Sequence, residues 1–284
     1  MEKLSPPLSP PLSIPWRLGL LGGPRVLQSQ SPAMHHNALS ACGLNGIYLP
    51  FDLSTSDLKA ALTGLRELGF KGLNVTIPLK LAVIDYLTDL SPEAKAIGAV
   101  NTLVPSEGGY CGHNTDASGF ADAYLSNLKQ TDRTLILGTG GAARAVAQAL
   151  VAQGFKASIS GRNFERTLDL AEDFSLEPLE WAQACVSGPW DLIVNSTAAS
   201  SPDELGDSPP RPLLVPGGLM IDINHNRPKN YWQDLALASK ASFVNGLAML
   251  AAQARRSFKL WTGLDPGLGV FRSAFPGLTV RIGK

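Results

Sequence analysis

Residues 134–145 have the sequence TLILGTGGAARA, which decides the fold that the second half of the chain can adopt. The first four residues, 134–137, are apolar or β-branched and predict a buried strand. A glycine turn follows at once, and the alanine-rich stretch from Ala142 to Gln153 predicts a helix that Gly154 ends. A strand, a tight turn and a helix in this order are typical of the start of a βαβ unit.

The glycines of this turn have the spacing of a dinucleotide-binding loop. Gly138, Gly140 and Ala143 form the pattern G-x-G-x-x-A between a predicted strand and a predicted helix. The first glycine permits the turn, the second lets the backbone approach a pyrophosphate, and the helix N-terminus offers free N–H groups to phosphate. Such glycines also occur for steric reasons alone, but the βαβ context favours a nucleotide site. We expect four residues of the loop at the cofactor: Gly138, Gly140, Gly141 and Ala142.

The end of the next predicted strand bears on which dinucleotide would bind. A NAD site usually has an acidic residue there, which bonds the ribose 2′-hydroxyl, but residues 158–162 are SISGR and contain none. Arg162 and Arg166 are four residues apart, and we expect them on one face of the following helix, where they would hold a 2′-phosphate. The alternative is a solvated face on which Arg166 pairs with Asp169 or Asp173. The missing acid favours NADP.

The rest of the chain alternates between the two types of secondary structure. Strands are predicted at 17–22, 46–53, 71–77, 157–160, 191–195 and 219–223, and helices at 31–42, 55–68, 79–86, 164–174 and 247–261. Ser31 is expected as the N-cap of the first helix, with Pro32 at its first position. This alternation predicts an α/β fold with largely parallel sheets and right-handed connections. We expect the helix at 247–261 to return to the first half of the chain.

Composition excludes several classes of function. Lys plus Arg and Asp plus Glu both number 24 among the 284 residues, so nothing in the global charge indicates nucleic acid or a membrane surface as partner. The three cysteines are widely spaced, which favours a reducing cytoplasm over a disulfide framework and argues against a metal site. No apolar run approaches the ~18 residues of a membrane span. Residues 1–15 are rich in Ser, Pro and Leu and are expected to form a flexible extension without the pattern of a signal peptide.

Two short segments supply a possible acid–base pair. Residues 74–80, NVTIPLK, place Lys80 just after a predicted strand, and residues 112–116, GHNTD, place Asp116 shortly before the nucleotide loop. A lysine and a carboxylate beside a nicotinamide site can move a proton while a hydride moves. The alternative is an exposed ion pair between two loops, which would contribute little to stability.

Six segments in a fixed order complete the pattern: SQSPAMHHN at 29–37, NVTIPLK at 74–80, GAVNT at 98–102, GHNTD at 112–116, GTGGAARA at 138–145 and GLAMLAAQ at 246–253. Together they resemble the shikimate dehydrogenase family, whose members reduce 3-dehydroshikimate to shikimate with NADPH. The first segment fits with one extra residue. The resemblance covers nearly everything after the N-terminal extension.

The resemblance implies a role for each matched residue. Lys80 would transfer the proton at the oxygen of the reacting carbon, and Asp116 would fix the lysine and favour its charged form. Ser29 and Ser31 would hydrogen-bond the substrate carboxylate, unless they serve only the turn and the helix start. The substrate ring would also meet Thr76, Asn101 and Gln253, whereas Thr197 and Gly246 would lie at the cofactor.

The resemblance also implies a domain layout. Residues 16–116 and 247–284 would form a substrate-binding α/β domain around a Rossmann-like NADP-binding domain at 117–246. The expected partners are the small-molecule substrate, shikimate or 3-dehydroshikimate, and NADP, without nucleic acid or membrane. The protein would be a monomer or a homodimer.

Three departures from the family pattern lie on the cofactor side. Gly161-Arg162-Asn163 replaces Asn-Arg-Thr, Ser200 and Ser201 replace a glycine and a methionine, and His225 replaces a tyrosine that lies near the substrate in the family. They leave open a paralogue that acts on quinate or a related ring acid, and a non-catalytic NADP-binding sensor. The intact Lys80 and Asp116 argue against the sensor.

Overall fold

Two six-stranded sheets organise the chain in the computed structural model, which describes residues 15–130, 132–205, 210–225, 227 and 229–275. The expected extension at 1–15 lies outside the described residues except for Pro15. The first sheet contains β1 (Trp16–Gly22), β2 (Gly46–Asp52), β3 (Gly72–Val75), β4 (Asp89–Leu90), β5 (Thr102–Ser106) and β6 (Gly109–His113). The second contains β7 (Thr134–Leu137), β8 (Ala157–Ser160), β9 (Glu177–Leu179), β10 (Trp190–Asn195), β11 (Leu214–Asp222) and β12 (Ser242–Asn245).

The helices among the described residues cover the faces of these sheets. The first half has α1 (Ser31–Ala41), α2 (Leu58–Glu67), α3 (Leu79–Ala82), α4 (Pro92–Ile97) and α5 (Asp116–Tyr124). The second half has α6 (Gly141–Ala152), α7 (Phe164–Phe174), α8 (Pro202–Leu205), α9 (Tyr231–Ala238), α10 (Leu247–Thr262) and α11 (Leu268–Arg272). The predicted α/β class is therefore confirmed.

The second sheet is parallel throughout and has the order β12-β11-β10-β7-β8-β9. Read from the other edge this is the 3-2-1-4-5-6 order of doubly wound dinucleotide-binding folds, in which ligands lie at the carboxyl ends of the strands. The first strand, β7, is central and all four of its residues are buried. The turn between β7 and α6 therefore lies where the strand order reverses, which is the position expected for a cofactor.

The first sheet is mixed and has the order β2-β1-β3-β5-β6-β4. Strands β1, β2 and β3 are parallel, whereas β5 runs antiparallel to both β3 and β6. The sequence does not predict the β5–β6 hairpin, because its alternation is short and its residues overlap the polar motif segments. The hairpin begins directly after Asn101 and ends shortly before Asp116, so it brings these two residues together.

The C-terminal helix α10 returns to the first sheet, as the sequence predicts. Its buried residues Ala254 and Phe258 share a hydrophobic core with Leu18 of β1. The indole Nε1 of Trp261 donates a hydrogen bond to the carbonyl of Leu103 in β5 at 3.0 Å. The helix thereby closes the first domain after the chain has passed through the second sheet.

Several predicted boundaries are wrong. Helix α1 begins at Ser31 itself, with Gln30 at the N-cap position, because the Ser29 hydroxyl accepts the backbone N–H of Ser31. The strand expected at 71–77 is shorter, and the one at 219–223 begins earlier, at Leu214. That strand includes Pro-Gly-Gly at 216–218, where its pairing with β10 is irregular: the register passes from Leu214 directly to Leu219, and Gly217 has φ of +82°.

Candidate active site

A cleft of about 580 Å³ lies between the two halves of the molecule. All seven residues predicted on the substrate side line it: Ser29, Ser31, Thr76, Lys80, Asn101, Asp116 and Gln253. Of the residues predicted on the cofactor side, those that line the same cleft are Gly140, Gly141, Ala142, Arg166, Thr197 and Gly246. Gly138 and Arg162 are not part of the lining.

Lys80 and Asp116 form an ion pair inside the cleft. Lys80 lies on α3, its Nζ is 2.5 Å from Oδ2 of Asp116, and the two side chains are only 15% and 7% exposed. Asp116 is the first residue of α5, and its backbone N–H donates to Oδ1 of Asn114. The pair is buried, so it is not the exposed ion pair of the alternative interpretation. An ammonium and a carboxylate held together beside an open cleft can deliver a proton to a bound group.

Asn101 fixes the second oxygen of the carboxylate. Its Nδ2 donates to Oδ1 of Asp116 at 2.8 Å and to Oγ1 of Thr115 at 2.9 Å, while its Oδ1 accepts the backbone N–H of Thr115 at 2.8 Å. Gln253 on α10 comes within 3.4 Å of the same amide. Each oxygen of Asp116 thus has its own donor, which holds the orientation of the carboxylate towards Lys80.

Asn74 belongs to a matched motif, but the sequence alone gives it no role. It is buried, its Oδ1 accepts the hydroxyl of Tyr48 at 2.8 Å, and its Nδ2 bonds the carbonyl of Asn101 at 3.1 Å and Oγ of Ser257 at 3.0 Å. These partners come from β2, the start of β5 and α10, so Asn74 ties three elements together beneath the cleft. Its place directly before Val75 in a short buried strand is the signal that could have found it.

Ser29 and Ser31 lie at the cleft wall, where the chain enters α1. The Ser29 hydroxyl donates to Oγ of Ser31 at 3.1 Å and accepts the backbone N–H of Ser31 at the same distance. The two hydroxyls therefore form a compact polar pair. Such a pair suits the oxygens of a carboxylate, which accept hydrogen bonds from several donors.

The glycine loop meets the lysine directly. A Cβ placed on Gly141 would lie 3.2 Å from Cβ of Lys80, so the start of α6 is in contact with the proposed proton donor. Gly138 has φ of +112° and a Cβ there would be 3.0 Å from the backbone of Ser196, which explains a turn glycine that does not face the cleft. A Cβ on Gly140 would meet no protein atom within 4 Å. The open space beside Gly140 fits the close approach of a pyrophosphate.

The two arginines do not share a helix face. Arg162 precedes the N-cap residue Asn163, whose Oδ1 accepts the backbone N–H of Arg166 at 3.0 Å, so only Arg166 belongs to α7. Helix α7 begins at Phe164, as predicted from the sequence, so Arg162 lies two residues before its first residue. The carboxylate of Asp173 pairs with Arg144 at 2.5 Å, so it does not pair with Arg166, and no ion pair between Arg166 and Asp169 is found among the described residues. Arg166 is exposed and lines the cleft.

Ser200 and His225, two of the residues that depart from the family pattern, have defined surroundings in the structure. Asp222, at the end of β11, is fully buried and accepts hydrogen bonds from Nδ2 of Asn195 at 2.8 Å, Oγ of Ser200 at 2.8 Å and Nδ2 of Asn230 at 2.7 Å. Ser200 thus anchors the loop that carries Thr197. His225 lines the cleft, and its Nδ1 is buried with no hydrogen-bond partner among the described residues. Burial lowers the pKa of His225, and Arg227 lowers it further, so the ring is neutral near pH 7.

An ion cluster that the sequence does not indicate joins the two halves at the mouth of the cleft. Arg25, in the turn after β1, lies 2.9 Å from Oε1 of Glu204, and Arg227 lies 3.2 Å from the same oxygen. Burial would raise the pKa of Glu204, but backbone N–H bonds from Ser200 and Ser201 and the two arginines lower it. Residues 179 positions apart in the chain meet in the pair of Arg25 with Glu204, so no local pattern could have found it.

The described residues form no candidate metal site. They contain no group of three or more His, Cys, Asp or Glu side chains that could hold a metal ion. Over the same residues, no helix combines the length and apolar character needed to cross a membrane.

Comparison with known proteins gives three matching family models. The shikimate dehydrogenase substrate-binding domain matches residues 21–103, the shikimate/quinate 5-dehydrogenase model matches 120–224, and the shikimate 5′-dehydrogenase C-terminal domain matches 246–274. A shikimate dehydrogenase (NADP+) from Thermus thermophilus is 40% identical over 256 residues, covering 88% of this chain and 94% of the relative. One from Desulforamulus reducens is 36% identical over 273 residues, covering 90% and 92%.

Solved structures show the same similarity. The shikimate 5-dehydrogenase of Thermus thermophilus, in complex with NADP(H) and shikimate, is 37% identical with a TM-score of 0.78 and covers 91% of this chain and 98% of its own. A quinate dehydrogenase from Corynebacterium glutamicum, in complex with NAD, is 32% identical with a TM-score of 0.80 and covers 92% and 98%.

Proposed function

The chain belongs to the shikimate dehydrogenase family, and from this membership we propose that it catalyses the reversible NADPH-dependent reduction of 3-dehydroshikimate to shikimate, a step of aromatic amino acid biosynthesis. The observation that carries the proposal is the buried ion pair of Lys80 and Asp116, 2.5 Å apart, in contact with the glycine loop. An NADP-binding sensor would have no use for such a pair. The activity is that of an oxidoreductase acting on a CH–OH group.

Lys80 acts as the proton donor in the direction of reduction. Its ammonium gives a proton to the ketone oxygen of the substrate, and it recovers the proton from solvent after the product leaves. NADPH supplies the hydride when it is bound. Asp116 holds the ammonium in place, and Asn101 holds Asp116 through the 2.8 Å hydrogen bond to Oδ1. In oxidation the same lysine, as the neutral amine that remains after proton donation, takes up the proton of the hydroxyl.

Side chains on several elements bind the ring. Ser29 and Ser31 donate hydrogen bonds to the substrate carboxylate, and Thr76, Asn101 and Gln253 bond the ring hydroxyls. Buried polar groups of this kind reject an analogue that lacks a hydroxyl, because the protein group would then be left without a partner. Discrimination among ring acids therefore depends on these side chains and on His225.

Replacing Ser31 with alanine is expected to raise KM for shikimate about 10–150-fold, since a hydrogen bond to a charged group contributes about 1.5–3 kcal/mol. The value of kcat should change little, because the hydroxyl is remote from the proton transfer. Steady-state kinetics measures both constants. Ser40→Ala, an exposed serine on the same helix, is the matched control. An unchanged KM in Ser31→Ala would remove this hydroxyl from the substrate site.

We assign binding of the 2′-phosphate of NADP chiefly to Arg166. We expect Arg166→Ala to raise KM for NADPH by a larger factor than KM for NADH, since only NADPH has the phosphate that the guanidinium binds. Arg162→Ala is the matched comparison, and its effect should be smaller because Arg162 does not line the cleft. Equal effects of Arg166→Ala on both cofactors would contradict the assignment.

Quinate is the second candidate substrate. It is supported by the similarity to the quinate dehydrogenase of Corynebacterium glutamicum and by His225, which stands at the cleft where the family pattern has tyrosine. Initial rates of shikimate and quinate oxidation with NADP and NAD test the assignment. Turnover of shikimate with NADP well above the other three pairs supports the first proposal. A faster rate with quinate supports the second, and no turnover with any pair supports a binding protein.

The remaining assignments concern the whole protein. We place the enzyme in the cytoplasm, because the free thiols of Cys42, Cys111 and Cys185 suit a reducing compartment. We propose a substrate domain formed by residues 16–116 and 247–284 around an NADP domain at 117–246. A monomer or a homodimer is expected, which analytical ultracentrifugation would distinguish.

A further inference from the structure

Arg144 joins the helix of the glycine loop to the substrate half of the molecule. It lies on the first turns of α6, and its Nε donates to the carbonyl of Ile97, the last residue of α4, at 2.5 Å. Its Nη2 is 2.5 Å from Oδ2 of Asp173 on α7, and its guanidinium carbon lies 5.4 Å from the ring centroid of Phe174. The side chain is 19% exposed. A largely buried, charged hydrogen bond to a backbone carbonyl restrains the two helices strongly.

The end of α4 is shaped around this guanidinium. Gly98 follows Ile97 with φ of +66°, and a Cβ there would lie 2.9 Å from Nη2 of Arg144. The arginine therefore packs closely on the backbone at this position. A side chain at residue 98 would both strain the backbone and push Arg144 away.

The segment after Gly98 leads directly to the proton-transfer pair. The backbone N–H of Val100 donates to the carbonyl of Lys80 at 2.9 Å. Asn101, the next residue, donates to Asp116 at 2.8 Å. The position of the Ile97 carbonyl thus affects the positions of both Lys80 and Asp116.

The other end of the connection is the cofactor loop. A Cβ placed on Gly141, at the start of α6, would lie 3.3 Å from Cβ of Ala99 and 3.2 Å from Cβ of Lys80. Since the N-terminus of α6 is the expected pyrophosphate site, the separation of cofactor and lysine is set by how α6 packs on residues 97–101. Arg144 is a polar contact that spans this packing.

We propose that Arg144 is a positioning residue for the reaction, setting the separation between the cofactor loop and the pair of Lys80 and Asp116. The proposal rests on the proposed dehydrogenase activity. A displacement of about 1 Å between reacting groups can cost about 100-fold in rate, so a contact remote from the chemistry can have a large effect. Arg144 itself is not part of the cleft lining.

The test compares Arg144→Met with the wild-type enzyme in 3-dehydroshikimate reduction, using NADPH and NADPH deuterated at the transferred hydrogen. We expect kcat to fall about 10–100-fold while both KM values stay within about threefold. The deuterium isotope effect on kcat should rise, because hydride transfer becomes the slow step. Arg144→Lys keeps the charge, and its kcat should lie between those of the wild type and Arg144→Met. If circular dichroism shows that Arg144→Met does not fold, Arg144→Lys is used in its place.

Two control variants separate positioning from stability. Arg255→Met removes an exposed, two-bond pairing with Asp265 and should leave kcat and the isotope effect unchanged. Asp173→Asn removes the ion pair but leaves the bond from Arg144 to Ile97, so its kcat should stay within about threefold of wild type. An equal loss in Asp173→Asn, or a lower kcat without a change in the isotope effect, would overturn the proposal. An inactive wild-type protein would instead refute the proposed function, and the present inference with it.

Discussion

Lys80→Ala is expected to lower kcat for shikimate oxidation about 10²–10⁴-fold, with little change in KM, because it removes the group that transfers the proton. The Nζ of Lys80 is 2.5 Å from Asp116, and both residues line the same cleft as the glycine loop. Steady-state kinetics in both directions measures the effect. A kcat close to that of the wild type would defeat the mechanism.

Loss of the lysine also leaves the buried carboxylate of Asp116 without its cation. Breaking a buried pair in this way costs about 3–5 kcal/mol, so the fall in kcat has to be separated from a loss of folded protein. The double variant Lys80→Met with Asp116→Asn removes the lone charge and should regain much of the melting temperature. Its kcat should stay low, because the proton donor is still absent. Lys95→Ala, which breaks an exposed pair with Asp89, is the control and should change neither.

Local sequence is sufficient for the parts of the fold that depend on neighbouring residues. The strand at 134–137 and the helix after it are predictable because apolar periodicity and a glycine turn act within a dozen residues. The prediction that Arg162 and Arg166 share a helix face is wrong for an equally local reason. Asn163 takes the N-cap position, so the helix begins after Arg162. One capping side chain decides that difference.

Longer-range contacts explain what the sequence could not provide. The motifs pair Lys80 with Asp116, but the hydrogen bond from Asn101 that orients Asp116 depends on the unpredicted β5–β6 hairpin, and Gln253 on α10 lies 3.4 Å from the same amide. The contact of Arg144 with Ile97 spans 47 positions, and no periodic or compositional signal marks it. The placement of the remaining predicted site residues on substrate and cofactor stays a prediction for the variants described above.

Gly140→Ala is expected to weaken NADPH binding while leaving the fold intact. A Cβ at this position would meet no protein atom within 4 Å, and the backbone there is extended with φ of −87° and ψ of −178°, which alanine adopts without strain. Folding stability should therefore change by less than about 1 kcal/mol. The added methyl group would occupy the space into which the pyrophosphate must come. If neighbours have to move, the cost is about 1–3 kcal/mol, or about 5–150-fold in NADPH affinity.

Gly138→Ala is the matched control because it separates the two uses of glycine in one loop. Gly138 has φ of +112° and a Cβ there would lie 3.0 Å from the backbone of Ser196, so alanine is strained at this position and should lower the melting temperature. Thermal unfolding without cofactor and fluorescence titration with NADPH measure the two quantities for both variants. Gly140→Ala should keep the melting temperature of the wild type and bind NADPH more weakly. Gly138→Ala should have a lower melting temperature. Unchanged NADPH affinity in Gly140→Ala would place the pyrophosphate elsewhere, since a side chain at this glycine would contact nothing within the described part of the chain.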